Sequence, residues 1–333
     1  RSLPVEVISW EKVDQAVLDY LFWFFARTGK APIITDNAIC FVLDRIFDNW
    51  CNESACLLAE ATAAQIDKVA EEFVFAGPFF VLNLANGNPI IVETNSLQME
   101  EGSHYRPAPI LTSVDRWLTH RPGSPVEVPE KIRTRIRDRL LGVLFSQTFD
   151  IVDRGIGTPA DVNFGCQVAL GFRKGTLDLM RDLGSHEVKR IMRKFAKERP
   201  GFPAAAKPFA FYQKFRRFIL VDDIDGVKVI TIRRPQSMNA LNDELTAEIL
   251  AKAAEYDIEN ERIWFDPIIA PLNIQQNQLI AVLEYMKMLQ DIAPGSKSTC
   301  GLSNSSNGVP DELRPIINRT YVVMLQRNGM VSA

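Results

Sequence analysis

Thr62-Ala63-Ala64-Gln65-Ile66-Asp67, with Gly77-Pro78-Phe79-Phe80-Val81-Leu82-Asn83-Leu84 ten residues further on, is the stretch on which the reading of the fold turns. The same grammar returns as Thr158-Pro159-Ala160-Asp161-Val162-Asn163, followed by Gly175-Thr176-Leu177-Asp178-Leu179-Met180. In each copy a threonine stands where an N-cap is needed to satisfy the free backbone N–H groups of a helix start. A glycine then opens an apolar helix. A long apolar helix precedes each copy, through Asp44-Arg45-Ile46 in one and Asp138-Arg139-Leu140-Leu141 in the other. The pattern is a weak internal repeat of helical units.

Working outward, residues 10–27 place Val13, Val17, Leu18, Leu21, Phe22 and Phe25 at helical spacing, and Gly29 closes the segment as a helix C-terminal glycine does. Before it, Arg1-Ser2-Leu3-Pro4-Val5-Glu6-Val7-Ile8 reads as entry in the middle of a strand. Turn-rich joints lie at Asn86-Gly87-Asn88-Pro89, Arg121-Pro122-Gly123-Ser124-Pro125 and Arg199-Pro200-Gly201-Phe202-Pro203. Beyond Pro208 the texture becomes β-like. Phe218-Ile219-Leu220-Val221 and Val227-Lys228-Val229-Ile230-Thr231-Ile232 flank an acidic turn and predict a hairpin. Strand over 263–265, helix over 276–290, strand over 298–302 and helix over 311–324 then give the βα alternation of a parallel barrel or doubly wound sheet.

Composition bounds the function. The 38 basic and 41 acidic residues leave a formal charge of -3, which gives no electrostatic case for nucleic acid as principal partner. The longest uncharged apolar run, residues 73–82, is far shorter than the roughly 20 residues a membrane span needs. Cys40, Cys51, Cys56, Cys166 and Cys300 form neither a CxxC nor a zinc spacing, so a reduced, cytoplasmic protein without a metal site is expected. His104, His120 and His186 read as surface or structural histidines, and the basic run at 189–199 as the solvated face of a helix.

Leu3-Pro4-Val5-Glu6-Val7-Ile8, Gly29-Lys30-Ala31-Pro32, Asp44-Arg45 and Gly77-Pro78-Phe79 together resemble the 3-hydroxyacyl-CoA dehydrogenase family, from the end of its nucleotide-binding domain into its helical C-terminal domain. Residues 132–195 look like a second copy of that helical domain. The resemblance implies a mainly α region over 1–205, built of helical domains of the 6-phosphogluconate dehydrogenase C-terminal type. It implies NAD and a coenzyme A thioester as cofactor and substrate, with subunit contacts that would give a homodimer. In the family a histidine takes the hydroxyl proton while a glutamate orients it. Glu6 stands at the glutamate's place, and Asp44 where an asparagine helps hold the substrate. The histidine and the Gly-rich phosphate loop are expected upstream of Arg1.

Val229-Ile230-Thr231-Ile232-Arg233-Arg234-Pro235 and Met238-Asn239-Ala240-Leu241-Asn242 are similar to the opening of the crotonase (enoyl-CoA hydratase) family, which makes the loop at Ala240 a substrate-binding candidate. Trp264-Phe265-Asp266-Pro267, Gly301-Leu302-Ser303-Asn304-Ser305-Ser306-Asn307-Gly308 and Arg314-Pro315-Ile316-Ile317-Asn318-Arg319-Thr320 resemble methyltransferases that pass a methyl group from methyltetrahydrofolate to a corrinoid protein. That resemblance makes Asn304 a catalytic candidate, with Asp266 and Asn318 binding the pterin. The expected organisation is thus a helical domain at 1–125, its second copy at 126–205, a crotonase-like segment at 206–250 and a partial TIM-barrel-like βα segment at 251–333. The α/β part covers 206–333, and the seam near 249–252 falls inside one helical pattern. The leading functional expectation is part of an acyl-CoA β-oxidation enzyme combining 3-hydroxyacyl-CoA dehydrogenase and enoyl-CoA hydratase. Methyl transfer and a non-catalytic acyl-CoA-binding or dimerisation module are the alternatives.

Overall fold

Strand β1 (Pro4–Ser9), helix α1 (Gln15–Arg27) and strand β2 (Ala31–Asp36) form a βαβ unit whose strands run parallel, in register from Pro4 opposite Ala31 to Ser9 opposite Asp36. The structure, a computed structural model, describes residues 3–224, 226–234, 237 and 239–332. Helix α1 starts five residues inside the periodic segment because Asp14 caps it, its side chain accepting from the Ala16 N–H at 2.9 Å. The chain divides into two compact units, Arg1–Phe215 and Arg216–Ala333.

In the first unit the βαβ element leads into α2 (Leu43–Cys56), α3 (Ala63–Ala70), α4 (Pro78–Ala85) and α5 (Asn88–Gln98). After a long connection come α6 (Glu130–Arg154), α7 (Pro159–Val168), α8 (Thr176–Glu198) and α9 (Phe209–Gln213). Every residue of α6 from Asp138 to Val152 is buried. A helix buried all round is the axis of its domain, and α2, α3, α7 and α8 pack around it. One hydrophobic core contains residues from both copies of the repeat, including Ile46, Trp50 and Phe79 with Leu140, Phe145 and Leu177.

The repeat is one capping device built twice. Thr62 Oγ1 accepts from the Gln65 N–H and Gln65 Oε1 accepts from the Thr62 N–H, a capping box, while Thr158 Oγ1 accepts from the Asp161 N–H. Five residues beyond each threonine a buried side chain reaches the start of the next helix. Asp67 accepts from the Phe79 and Phe80 N–H groups at 2.9 and 2.8 Å, and Asn163 Oδ1 from those of Leu177 and Asp178, each at 3.2 Å. Each glycine is dictated by this approach. A Cβ on Gly77 would lie 2.5 Å from Asp67, and one on Gly175 would lie 2.0 Å from Asn163 Oδ1. Three residues before these glycines, Val74 and Phe172 form an antiparallel bridge between the copies. The Phe75 N–H donates to the Gly171 carbonyl at 3.0 Å and the Arg173 N–H to the Phe73 carbonyl at 2.8 Å. Helices α2 and α6 also exchange buried ion pairs in both directions, Arg45 to Asp150 at 2.6 Å and Arg139 to Glu53 at 2.6 Å.

In the second unit β3 (Ile219–Ile224) and β4 (Val227–Ile232) are an antiparallel hairpin, as the alternation predicts. Helix α10 (Asp243–Ala254) runs unbroken through 249–252, its N-terminus capped by Asn242. Pro235 and Met238 of the crotonase-like motif lie outside the described residues. Strand β5 (Trp264–Phe265), α11 (Leu272–Ile292), β6 (Lys297–Ser298) and α12 (Arg314–Arg327) follow, with β5 and β6 parallel. Both strands are shorter than the apolar runs indicate. Pro267 lacks an N–H and curtails β5, so beyond Ser298 the Thr299 N–H still reaches the Phe265 carbonyl but the chain then turns into a 3-10 helix at Leu302–Ser306. Phe265, Leu279, Met286, Leu289, Tyr321 and Leu325 belong to a separate core here. Among the described residues the two strand pairs remain separate sheets. All five cysteines are free, and no described helix is long and apolar enough to cross a membrane.

Candidate functional site

The candidates suggested by the dehydrogenase-type and crotonase-type motifs fall in different units. Glu6 and Asp44 belong to the first unit and Ala240 to the second. Glu6 is on the middle of β1, opposite Ile33 of β2, and is half-buried. Its Oε1 accepts from the backbone N–H of Val42 at 2.9 Å and of Leu43 at 3.3 Å, at the N-terminus of α2. A carboxylate there meets free N–H groups and the positive end of the helix dipole. Burial nevertheless dominates. It pushes the Glu6 carboxyl up to about 7, with the two N–H groups pulling the other way and the charge of Asp44 adding to the rise.

The chain reaches this position through a strained turn. Cys40 and Phe41 both adopt left-handed backbone angles, φ 61° and 45°, which side-chain-bearing residues avoid. Arg45, fully buried, pins the turn by donating to the Ile39 carbonyl at 2.9 Å while its guanidinium pairs with Asp150 and Glu101. Asp44 is exposed on the first turn of α2. One turn further in, Asp48 is buried, and burial together with the Asp44 charge pushes its carboxyl up to about 7. Asp48 escaped the sequence reading, although its place four residues after Asp44 puts both on one helix face. Among the described residues no three His, Cys, Asp or Glu side chains are grouped to hold a metal ion.

In the second unit Asp266 directly follows β5, and Asn304 lies in the 3-10 helix after β6, so both follow the carboxyl end of the parallel pair. Asn304 follows Ser298 after five residues, the last two already in the 3-10 helix, where the sequence suggested a strand over 298–302. Asn318, on α12, accepts a hydrogen bond from Ser305 Oγ at 3.1 Å. A groove of about 310 Å³ between α11 and α12 is lined by Leu279, Ile280, Leu283, Ile316, Tyr321 and Met324, and by none of these three polar candidates. Ala240 is exposed in the loop before α10, its carbonyl accepting from Arg234. Of the three histidines, His186 is exposed on α8. His104 is packed against Tyr105 and Phe202, and His120 Nε2 meets Glu71 at 2.9 Å. Three of the six basic residues at 189–199 are in ion pairs, Arg190 and Lys194 of α8 with Asp138, and Arg199, at its C-cap, with Glu53.

Over part of its length the chain has a 3-hydroxyacyl-CoA dehydrogenase-like fold. In solved structures that likeness is to the 3-hydroxybutyryl-CoA dehydrogenase of Escherichia coli K12, with a TM-score of 0.50 and 12% identity over 59% of this chain and 64% of that one. The chain therefore spans less than two thirds of that neighbour's length. No protein-family model matches the sequence.

Proposed function

We propose that the first unit is the helical, acyl-facing part of an NAD-linked 3-hydroxyacyl-CoA dehydrogenase. In this reading Glu6 is the carboxylate that orients the proton-accepting histidine. The observation that carries it is the anchoring of Glu6: one oxygen is committed to the Val42 and Leu43 N–H groups, and the other remains to accept from an imidazole N–H. A carboxylate fixed in this way sets both the ring's tautomer and its orientation. The described residues contain no Gly-rich strand–turn–helix to cradle the phosphates of a dinucleotide. We therefore derive no hydride step within this chain. What its own residues supply is the orienting carboxylate, an acidic first turn at Asp44 beside the substrate position, and a buried Arg45 that keeps both in place.

Calorimetric titration of the full chain with acetoacetyl-CoA, and separately with methyltetrahydrofolate, tests the proposal. Saturable heat from the thioester alone is expected, weakened about tenfold in Asp44→Ala, with Glu6→Gln still binding because Glu6 acts on the histidine and not on the acyl group. Absence of any acetoacetyl-CoA heat overturns it. Among the described residues of 216–333 nothing favours hydration of an enoyl-CoA or methyl transfer to a corrinoid protein, and neither is proposed.

A further inference from the structure

Helix α1 presents apolar side chains on two opposite faces. Leu18 is buried, and Leu21, Phe22 and Phe25 are half-buried on the side that packs on the β1–β2 pair. The outward side carries Val17, Tyr20, Trp23 and Phe24, which are 49%, 59%, 56% and 42% exposed. Their rings already stack on one another, Tyr20 with Trp23 at 5.8 Å and with Phe24 at 6.3 Å between centroids. A helix on a protein surface normally turns a polar face to water, and one that is apolar all round is covered on both sides.

The charges on this outer face indicate what covers it. Asp19 and Arg27 are the only charged residues of α1, and both are exposed. They stand four residues before and four after Trp23, on one ridge of the helix. At 1.5 Å per residue they are about 12 Å apart along the axis, too far to pair with each other. Among the described residues neither takes part in an ion pair, and Asp19 accepts from Gln15 Nε2 at 2.8 Å. Reversing the helix about Trp23 exchanges the positions of Asp19 and Arg27. The face is thus its own electrostatic complement in an antiparallel arrangement, which is the self-complementarity a two-fold interface requires. The area is adequate too. With aromatic side chains offering about 150–250 Å² each, the half-exposed residues on α1 and the neighbouring Trp10 give roughly 500 Å² per copy, or about 1,000 Å² in a pair.

We propose that a second copy of this chain covers α1, the two helices packing antiparallel about a two-fold axis at Trp23, with Asp19 of each copy paired to the partner's Arg27. This does not depend on the dehydrogenase reading, and it places the subunit contact on the βαβ element instead of the helical repeats.

Sedimentation equilibrium of the full chain over a range of concentrations tests it. The wild type is expected at twice the chain mass, and Trp23→Arg at the monomer mass with an unchanged far-UV circular dichroism spectrum. Asp19→Arg alone sets arginine against arginine and is expected to weaken association about tenfold or more. Asp19→Arg combined with Arg27→Asp restores the complementary order and is expected to recover the wild-type dissociation constant within about threefold. A wild type that is monomeric at every concentration overturns the proposal and leaves the face to a different partner. A dimer that persists in Trp23→Arg, or a double reversal that associates no better than the single one, overturns it as well.

Discussion

Replacing Asp67 by asparagine should leave the fold intact and remove a pH dependence. Asp67 is 1% exposed, and burial pushes its carboxyl up to about 6, against an ordinary value of 3.8, while the Thr119 hydroxyl and the Phe79 and Phe80 N–H groups hold the rise back. A carboxyl raised in the folded state adds stability that is fully present below about pH 3.8 and is lost as the pH rises through about 6. At 1.36 kcal/mol per pH unit the difference is about 3 kcal/mol. Asparagine does not titrate, and the second repeat already uses one at the equivalent position. There Asn163 Oδ1 accepts both N–H groups while its Nδ2 donates to Asp178 at 2.8 Å. In the first repeat the Thr119 oxygen is placed to accept from the new amide. The stability of Asp67→Asn relative to wild type should therefore rise by about 2.4 kcal/mol between pH 4 and pH 7, ending at or above wild type. Asp67→Ala leaves two buried N–H groups unpaired and should lose about 2–4 kcal/mol at pH 7. Urea midpoints across this range measure both, together with amide exchange at Phe79 and Phe80, whose protection should change by about a hundredfold. Parallel pH profiles for wild type and Asp67→Asn, or equal stabilities for the asparagine and alanine variants, would refute the reasoning.

The same architecture sets further expectations. Gly175→Ala brings a Cβ against both the side chain and the backbone carbonyl of Asn163, and should cost about 3 kcal/mol through crowding and a displaced cap, read as a lowered thermal midpoint. Arg45→Met leaves the carboxylates of Asp150 and Glu101 without their buried cation and should destabilise by about 3–5 kcal/mol. Combining it with Asp150→Ala should cost less than the two changes added together, as denaturant titration of all three variants would show.

Much of the helical part was legible because its signals are local. Thr62 and Thr158 cap the helices their spacing marks, and Gly77 and Gly175 open the next ones. Glu6 sits on the strand that its alternating neighbours indicate. What sequence could not show are the relations between distant residues. Asp67 and Asn163 end the repeated motifs without any local sign that each caps a helix more than ten residues away. Arg45 and Asp150 are charged residues in helical patterns that ordinarily face water, and only the enclosure of α6 makes them an interior pair. Strand β2 was missed because Ala31-Pro32-Ile33-Ile34-Thr35-Asp36 is a short apolar run whose proline argues against a strand until its pairing with β1 is seen. In the second unit the βα order was readable, but strand length was not, since pairing stops where Pro267 has no donor to offer.

The exchange of ion pairs between α2 and α6 has a bearing on how the molecule could be divided. Glu53 receives its guanidinium from the second repeat, and Asp150 receives its own from the first. Severing the peptide between residues 121 and 125 would yield two pieces, each holding an interior acid whose buried guanidinium lies in the other piece. Such halves would be obligate companions, cross-wired at both ends, and a drift in sequence at one end would have to be answered across the cut.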